Sequence, residues 1–141
     1  MMSGHRVLVD TGAWLAAFHR RDQYHAEAAR TLKQLRVERA RLVVTDLILA
    51  EVYLHLLHGF GPARAIAHIE AVVGDPLVEE IFVDQDLQAG AIADWIHGFS
   101  DQAFTLTDAV SFAVMRSHRI ATAFTFDRDF GVAGFQTTPI G

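Results

Sequence analysis

Short β-branched runs alternate with helix-patterned stretches along the whole chain, and that alternation leaves few folds open. The runs fall at residues 7–9 (VLV), 42–44 (LVV), 81–83 (IFV) and 121–126 (ATAFTF), with residues 137–140 as a candidate edge strand. Between the first two lie an apolar helical stretch at 13–18 and an amphipathic helix from Tyr24 to about Val37, with Ala28, Leu32 and Leu35 on one side. Thr45 and Asp46 offer an N-cap for a helix running to about His58 and stopped by Gly59 and Gly61. Pro62 suits the first turn of another helix, ending near Gly74. Two more helices are predicted, at 86–97 and from Thr107 or Asp108 to about Ser117. Strands that alternate with helices form βαβ units, so the expected fold is α/β: a three-layer sandwich around a mostly parallel sheet. No internal repeat, low-complexity segment or linker rich in Pro, Gly or Ser divides the chain, so residues 1–141 read as one domain.

Four acids stand out against that pattern. They are Asp10 in RVLVDTGAWLAAF, Glu51 in VVTDLILAEVYLHL, Asp108 in FTLTDAVSFAVM and Asp127 in ATAFTFDRDF. Each has apolar neighbours, where an uncompensated carboxylate is costly. Asp10 ends the first strand, and open α/β sheets collect ligands at the carboxyl ends of their strands. The same residue also suits a helix cap through the Thr11-Gly12 turn. Glu51 shares a helix face with Leu47, Leu54 and His58, so it interrupts a stripe or snorkels from its border. Asp108 falls in a first helical turn, which favours an acid whatever the function. Asp127 follows a buried strand, and Asp129 two residues on can take its place; a polar turn with Arg128 is the plain alternative. No single acid decides the matter, but the four read as one assembled site. Clustered carboxylates repel unless a cation sits between them. Oxygen ligands without Cys select Mg²⁺ or Mn²⁺ over zinc. Such ions activate water and stabilise an in-line phosphoryl displacement.

Composition narrows the classes further. The absence of cysteine excludes disulfides, thiolate metal sites and a cysteine nucleophile. His55 and His58 lack the spacing of a helical zinc motif, so zinc is disfavoured. The formal net charge of −5 argues against a polyanionic partner. Against that, the proposed site itself holds four of the negative charges. Arg20, Arg21, Arg30, Lys33, Arg36, Arg39 and Arg41 also cluster in one stretch, and Lys33 is the single lysine among the 12 basic residues. A solvated helix face explains that stretch equally well. No segment reaches bilayer length, and MMSGHRV does not read as a signal peptide, so a cytoplasmic protein without a membrane partner is expected.

In this order, VLVDTGAWLAAF, TDLILAEVYLHLL, FTLTDAVSFAVM and AFTFDRDFGVAGF resemble the PIN-domain ribonucleases of VapC-like type, the toxin half of bacterial and archaeal toxin–antitoxin pairs. The resemblance spans essentially the whole chain. It implies a PIN-like α/β/α sandwich and a metal-binding acidic pocket of Asp10, Glu51, Asp108 and Asp127. Thr11 and Thr125 would support the pocket, and Asp129 is the alternative to Asp127. It further implies Mg²⁺- or Mn²⁺-dependent hydrolysis of RNA, a cognate antitoxin and a homodimer. The apolar helices at 47–57 and 63–73 suit such an interface or a groove for an antitoxin helix, and equally suit plain core packing. A dehalogenase-type phosphatase is disfavoured because Gly12 stands where its second Asp belongs. A receiver domain needs a late-strand lysine, which Lys33 is not. The serious alternative is a PIN-like module that binds RNA or protein without cutting.

Overall fold

In the computed structural model, which describes residues 5–139, a central strand β1 (Arg6–Val9) lies between β2 (Arg41–Thr45) and β4 (Thr122–Phe124). The flanking strands β3 (Val78–Ile81) and β5 (Gln136–Thr138) complete the order β3-β2-β1-β4-β5. All four pairings are parallel, so every carboxyl end falls at the same end of the sheet. The helices are α1 (Thr11–Phe18), α2 (His25–Val37), α3 (Asp46–Phe60), α4 (Pro62–Gly74), α5 (Gln85–Gly90), α6 (Leu106–Ser117) and α7 (Asp129–Val132), with a π-helical segment Ala91–His97 after α5. The chain steps outward from β1 to β3 and then jumps back across β1 to β4. Right-handed crossovers therefore place α1–α4 on one face and the α5–α6 group on the other. The expected three-layer α/β/α sandwich is what forms.

The central strands are buried on both faces. Val7, Leu8, Val9, Leu42, Val43 and Val44 are fully inaccessible, which is why they read as continuous apolar runs rather than as alternation. On the α6 face an aromatic cluster surrounds Phe112. Its ring meets Trp95, Phe104 and Phe130 edge-on with centroids at 5.3, 5.0 and 4.9 Å. Edge-to-face pairs add to the area they bury. The cluster fixes the register of α6, and with it Asp108.

Several boundaries differ from expectation for identifiable reasons. The third strand is Val78–Ile81 instead of 81–83. As an edge strand it tolerates Glu79 and Glu80, and Glu79 Oε2 accepts from the Arg6 guanidinium at 2.7 Å. The helix after β2 runs through Gly59 to Phe60, and Gly61, at φ 85°, makes the turn into Pro62 at the start of α4. The stretch expected as one helix at 86–97 divides into α5 and the π-helical segment. α1 begins at Thr11 and α6 at Leu106, each a little earlier than expected. β4 covers only part of 121–126, and Ile140, the expected end of the edge strand, lies outside the described residues.

Replacing Phe112 with Ala removes the ring at the centre of this cluster. It should cost about 3–5 kcal/mol, read as a lowered urea midpoint. Val37→Ala, at 70% exposure, should stay within about 0.5 kcal/mol of the parent.

Candidate active site

Asp10 is the first residue beyond β1, and its amide still donates to Phe124 O at 3.0 Å, prolonging the β1–β4 ladder. Its side chain is only 7% exposed, and both carboxylate oxygens are held. Oδ1 accepts from the Thr11 amide at 2.8 Å, and Oδ2 accepts from Thr125 Oγ1 at 2.9 Å. Thr125 Oγ1 accepts in turn from the Asp127 amide, and Asp127 Oδ1 accepts from the Asp129 amide, each at 2.9 Å. Thr11 Oγ1 donates to Glu51 Oε1 at 2.8 Å. One chain of hydrogen bonds thus runs from α3 through β1 to the loop after β4.

Asp108 arrives from the opposite layer, in the first turn of α6, where its amide donates to Thr105 Oγ1 at 3.0 Å. Carboxylate oxygens of Asp108, Asp127 and Asp129 come within 4.8 Å of one another. Asp129 thus stands in the same cluster as Asp127. The position of Glu51 corrects the expected apolar stripe. The core face of α3 is Ile48, Leu49, Val52 and Leu56, whereas Leu54 is 52% exposed. Glu51 borders the core and is oriented by Thr11.

The electrostatics are those of crowded like charges. Burial first, then the charges of Asp10 and Asp127, push the Asp108 carboxyl up to about 7 against the Thr105 hydrogen bond. Burial likewise raises Asp10 to about 6, although hydrogen bonds from Thr125 and Thr11 oppose it and Asp127 and Glu51 add to it. Asp129 is raised by burial and by Asp127, with Arg128 pulling the other way. Among the described residues none of these carboxylates forms a salt bridge, and no His joins the group. An all-oxygen donor set with unrelieved negative charge fits a hard divalent cation.

The family profile described as PIN domain matches residues 7–136. This chain belongs to the PIN-domain family. It is 32% identical over 134 residues to the 23S rRNA-specific endonuclease VapC20 of Mycobacterium tuberculosis, covering 92% of this chain and 95% of that protein. The crystal structure of VapC20, described as a sarcin–ricin loop cleaving toxin, superposes with a TM-score of 0.79 at 29% identity, over 92% of this chain and 95% of that one. A toxin–antitoxin complex from Klebsiella pneumoniae has a TM-score of 0.70 at 19% identity, over 95% of this chain and 98% of the other. VapBC2 of Rickettsia felis, bound to a promoter DNA fragment, also scores 0.70, at 11% identity, over 94% and 96%. These last two share the fold. Within the family the chain is VapC-like, as its motifs indicate.

Two further placements bear on function. The basic stretch does not act as one patch: Arg36 pairs with Asp75 at 2.7 Å, and Arg41, at the start of β2, approaches Glu79 at 3.9 Å. Both lie toward the amino ends of the strands, away from the acids. Thr105, which positions Asp108, was missed, although the spacing Thr105-x-x-Asp108 is a capping signal. No helix among the described residues is long and apolar enough to cross a membrane.

The raised carboxyls have a stability consequence of definite sign. A folded value near 7 against an ordinary 3.8 means that Asp108 favours the fold while protonated. That contribution is complete below about pH 4 and is lost as pH rises through about 7. In EDTA at pH 7.5, Asp108→Asn should therefore melt higher than the parent, by on the order of 1 kcal/mol after solvent screening, or about 4 °C. The difference should close near pH 4 in thermal melts.

Proposed function

We propose that this protein is an endoribonuclease that hydrolyses RNA phosphodiester bonds with Mg²⁺ or Mn²⁺ and acts as the toxin of a VapBC-type pair. One observation carries the reading. Asp10, Asp108, Asp127 and Asp129 gather at the carboxyl ends of a parallel sheet, with Glu51 joined to them through Thr11, in a chain related to an rRNA endonuclease. Asp10, Asp108 and Asp127, with Asp129 beside them, would hold the cation, and Glu51 would tune the pocket from its rim. When bound, the ion supplies a Lewis acid for the phosphate and lowers the pKa of water to a range useful at neutrality.

The protein's own residues do the rest. The Thr11 amide and the Thr125 hydroxyl hold both oxygens of Asp10, so this carboxylate presents one orientation. Burial and neighbouring acids push the Asp108 carboxyl up to about 7, so holding a cation would require it to release its proton. Cation affinity should therefore rise with pH. Given the relative's specificity, a structured rRNA loop is the first substrate to try. A cytoplasmic location accords with such a substrate. Leu54, Ile66 and Val73, on the α3–α4 hairpin, stay 52%, 45% and 50% exposed, an apolar surface that suits a homodimer or an antitoxin helix.

The decisive assay offers 23S rRNA, a sarcin–ricin loop hairpin and a mixed RNA pool to the purified protein, with Mg²⁺, with Mn²⁺ and with EDTA. Cutting should need the metal and should fall at least about 100-fold in Asp10→Asn and Asp108→Asn, with Thr125→Val losing about 10–100-fold. Intact RNA in the presence of bound metal would instead favour a binding module without turnover. Light scattering at micromolar concentration should give twice the 15.6 kDa chain mass, and a monomer would remove the dimer from this reading.

A further inference from the structure

We propose that the cleft at the far ends of α1 and α3 docks the RNA strand flanking the scissile phosphodiester, an inference that rests on the ribonuclease reading. The difficulty it resolves is electrostatic, since an acidic pocket in a chain of net charge −5 repels the polyanion it must receive. Compensating positive charge has to lie close by, yet outside the pocket. Four arginines are committed to ion pairs: Arg6 and Arg41 to Glu79, Arg36 to Asp75, and Arg116 to Asp94.

Arg20, Arg21 and Arg64 differ from the other arginines without an ion pair in lining one cavity together. They come from two separate parts of the chain, all are exposed, and among the described residues none forms a salt bridge. They converge with His19, His55 and Phe60 on one cavity of about 740 Å³, in which Asp22 is the only acid. The Arg64 guanidinium stacks over the Phe60 ring at 4.5 Å, and the His19 ring meets that ring edge-on at 5.1 Å. Stacking holds a guanidinium flat while leaving its N–H edge free to grip phosphate in a bidentate way. Cations interleaved with ring faces are what a single-stranded nucleic acid needs, phosphates for the former and bases for the latter.

The cleft and the acidic site share two helices, α1 and α3. α1 and α3 pack along one seam, pinned at its upper end by the Thr11–Glu51 hydrogen bond. His55 stands one helical turn beyond Glu51, and His19 lies about 12 Å along α1 from Thr11, at about 1.5 Å per residue. A strand leaving the acidic cluster thus meets the cleft within a few nucleotides. An acidic protein segment would use the charge but would have no need of the ring faces or of the shared seam.

The test reads binding separately from turnover. Affinity for a fluorescein-labelled single-stranded RNA of mixed sequence is measured by anisotropy in EDTA, across about 50–300 mM KCl. Arg21→Gln/Arg64→Gln is compared with Arg30→Gln/Lys33→Gln, which removes the same charge from exposed positions on α2. The first pair should weaken binding about tenfold or more and lower the log–log salt slope by about 1.4, two contacts at about 0.7 each. The second pair should leave affinity within about threefold. Arg21→Lys/Arg64→Lys should keep the salt slope, which excludes simple misfolding as the cause. Where RNA is cut, the cleft variants should raise KM and spare kcat. Equal losses in both Gln pairs, or unchanged RNA affinity with lost binding to polyglutamate, would overturn the proposal. A parent that binds RNA through the cleft yet never cuts would sink only the nuclease reading; a parent that cuts, with unaltered cleft variants, would sink only the cleft.

Discussion

Burial of several carboxylates in one pocket, compounded by their mutual repulsion, is the constraint that the rest of this molecule must hold in check. Asp10 and Asp108 are pushed up to about 6 and about 7, so their charges are kept together at a cost to the fold. The cost is met by structure on both faces of the sheet. The Thr11 amide and the Thr125 hydroxyl fix Asp10 from the strand ends, while the Phe112 cluster and the Thr105 cap fix Asp108 from the other layer. A parallel sheet makes the meeting possible, because consecutive strands deliver their carboxyl ends to the same place.

Charge in this chain is separated by position as well as by sign. At the amino ends of the strands, arginine is spent on internal pairs, with Arg6 and Arg41 around Glu79 and Arg36 against Asp75. At the carboxyl ends, acids gather without such partners. Along α1 and α3, away from that acidic end, lies the cleft lined by Arg20, Arg21 and Arg64. A net charge therefore says little about how such a protein receives a polyanion; the local arrangement decides it.

Much of the fold was legible in the sequence because its signals are local. The runs at 7–9 and 42–44 are apolar throughout, as strands covered on both faces must be, and Thr45 caps α3 as its position suggests. β3 was misplaced because Glu79 and Glu80 look foreign to a strand until Arg6 is seen beside Glu79. The stripe assigned to Glu51 failed for a related reason. Periodicity identifies a helix face but not which face meets the core, and on α3 the core took Ile48, Val52 and Leu56. The basic stretch looked continuous along the chain, yet Arg36 and Arg41 are drawn to Asp75 and Glu79 while Arg20 and Arg21 line a cleft with Arg64.

The sequence by itself determined the alternation of strand and helix, the VapC-like order of motifs, and the identity of the acids at strand ends and in the first turn of α6. These follow from neighbours within a few residues, where β-branching, capping and helical period act. Only the tertiary structure decided that Asp129 joins Asp108 and Asp127, that the Thr11 hydroxyl donates a hydrogen bond to Glu51, and that Arg64 reaches the cleft of Arg20 and Arg21. Side-chain contacts of this kind reach across as many as 115 positions, as between Thr125 and Asp10. No local preference encodes such contacts, because they exist only once crossover handedness and side-chain packing have brought distant segments together.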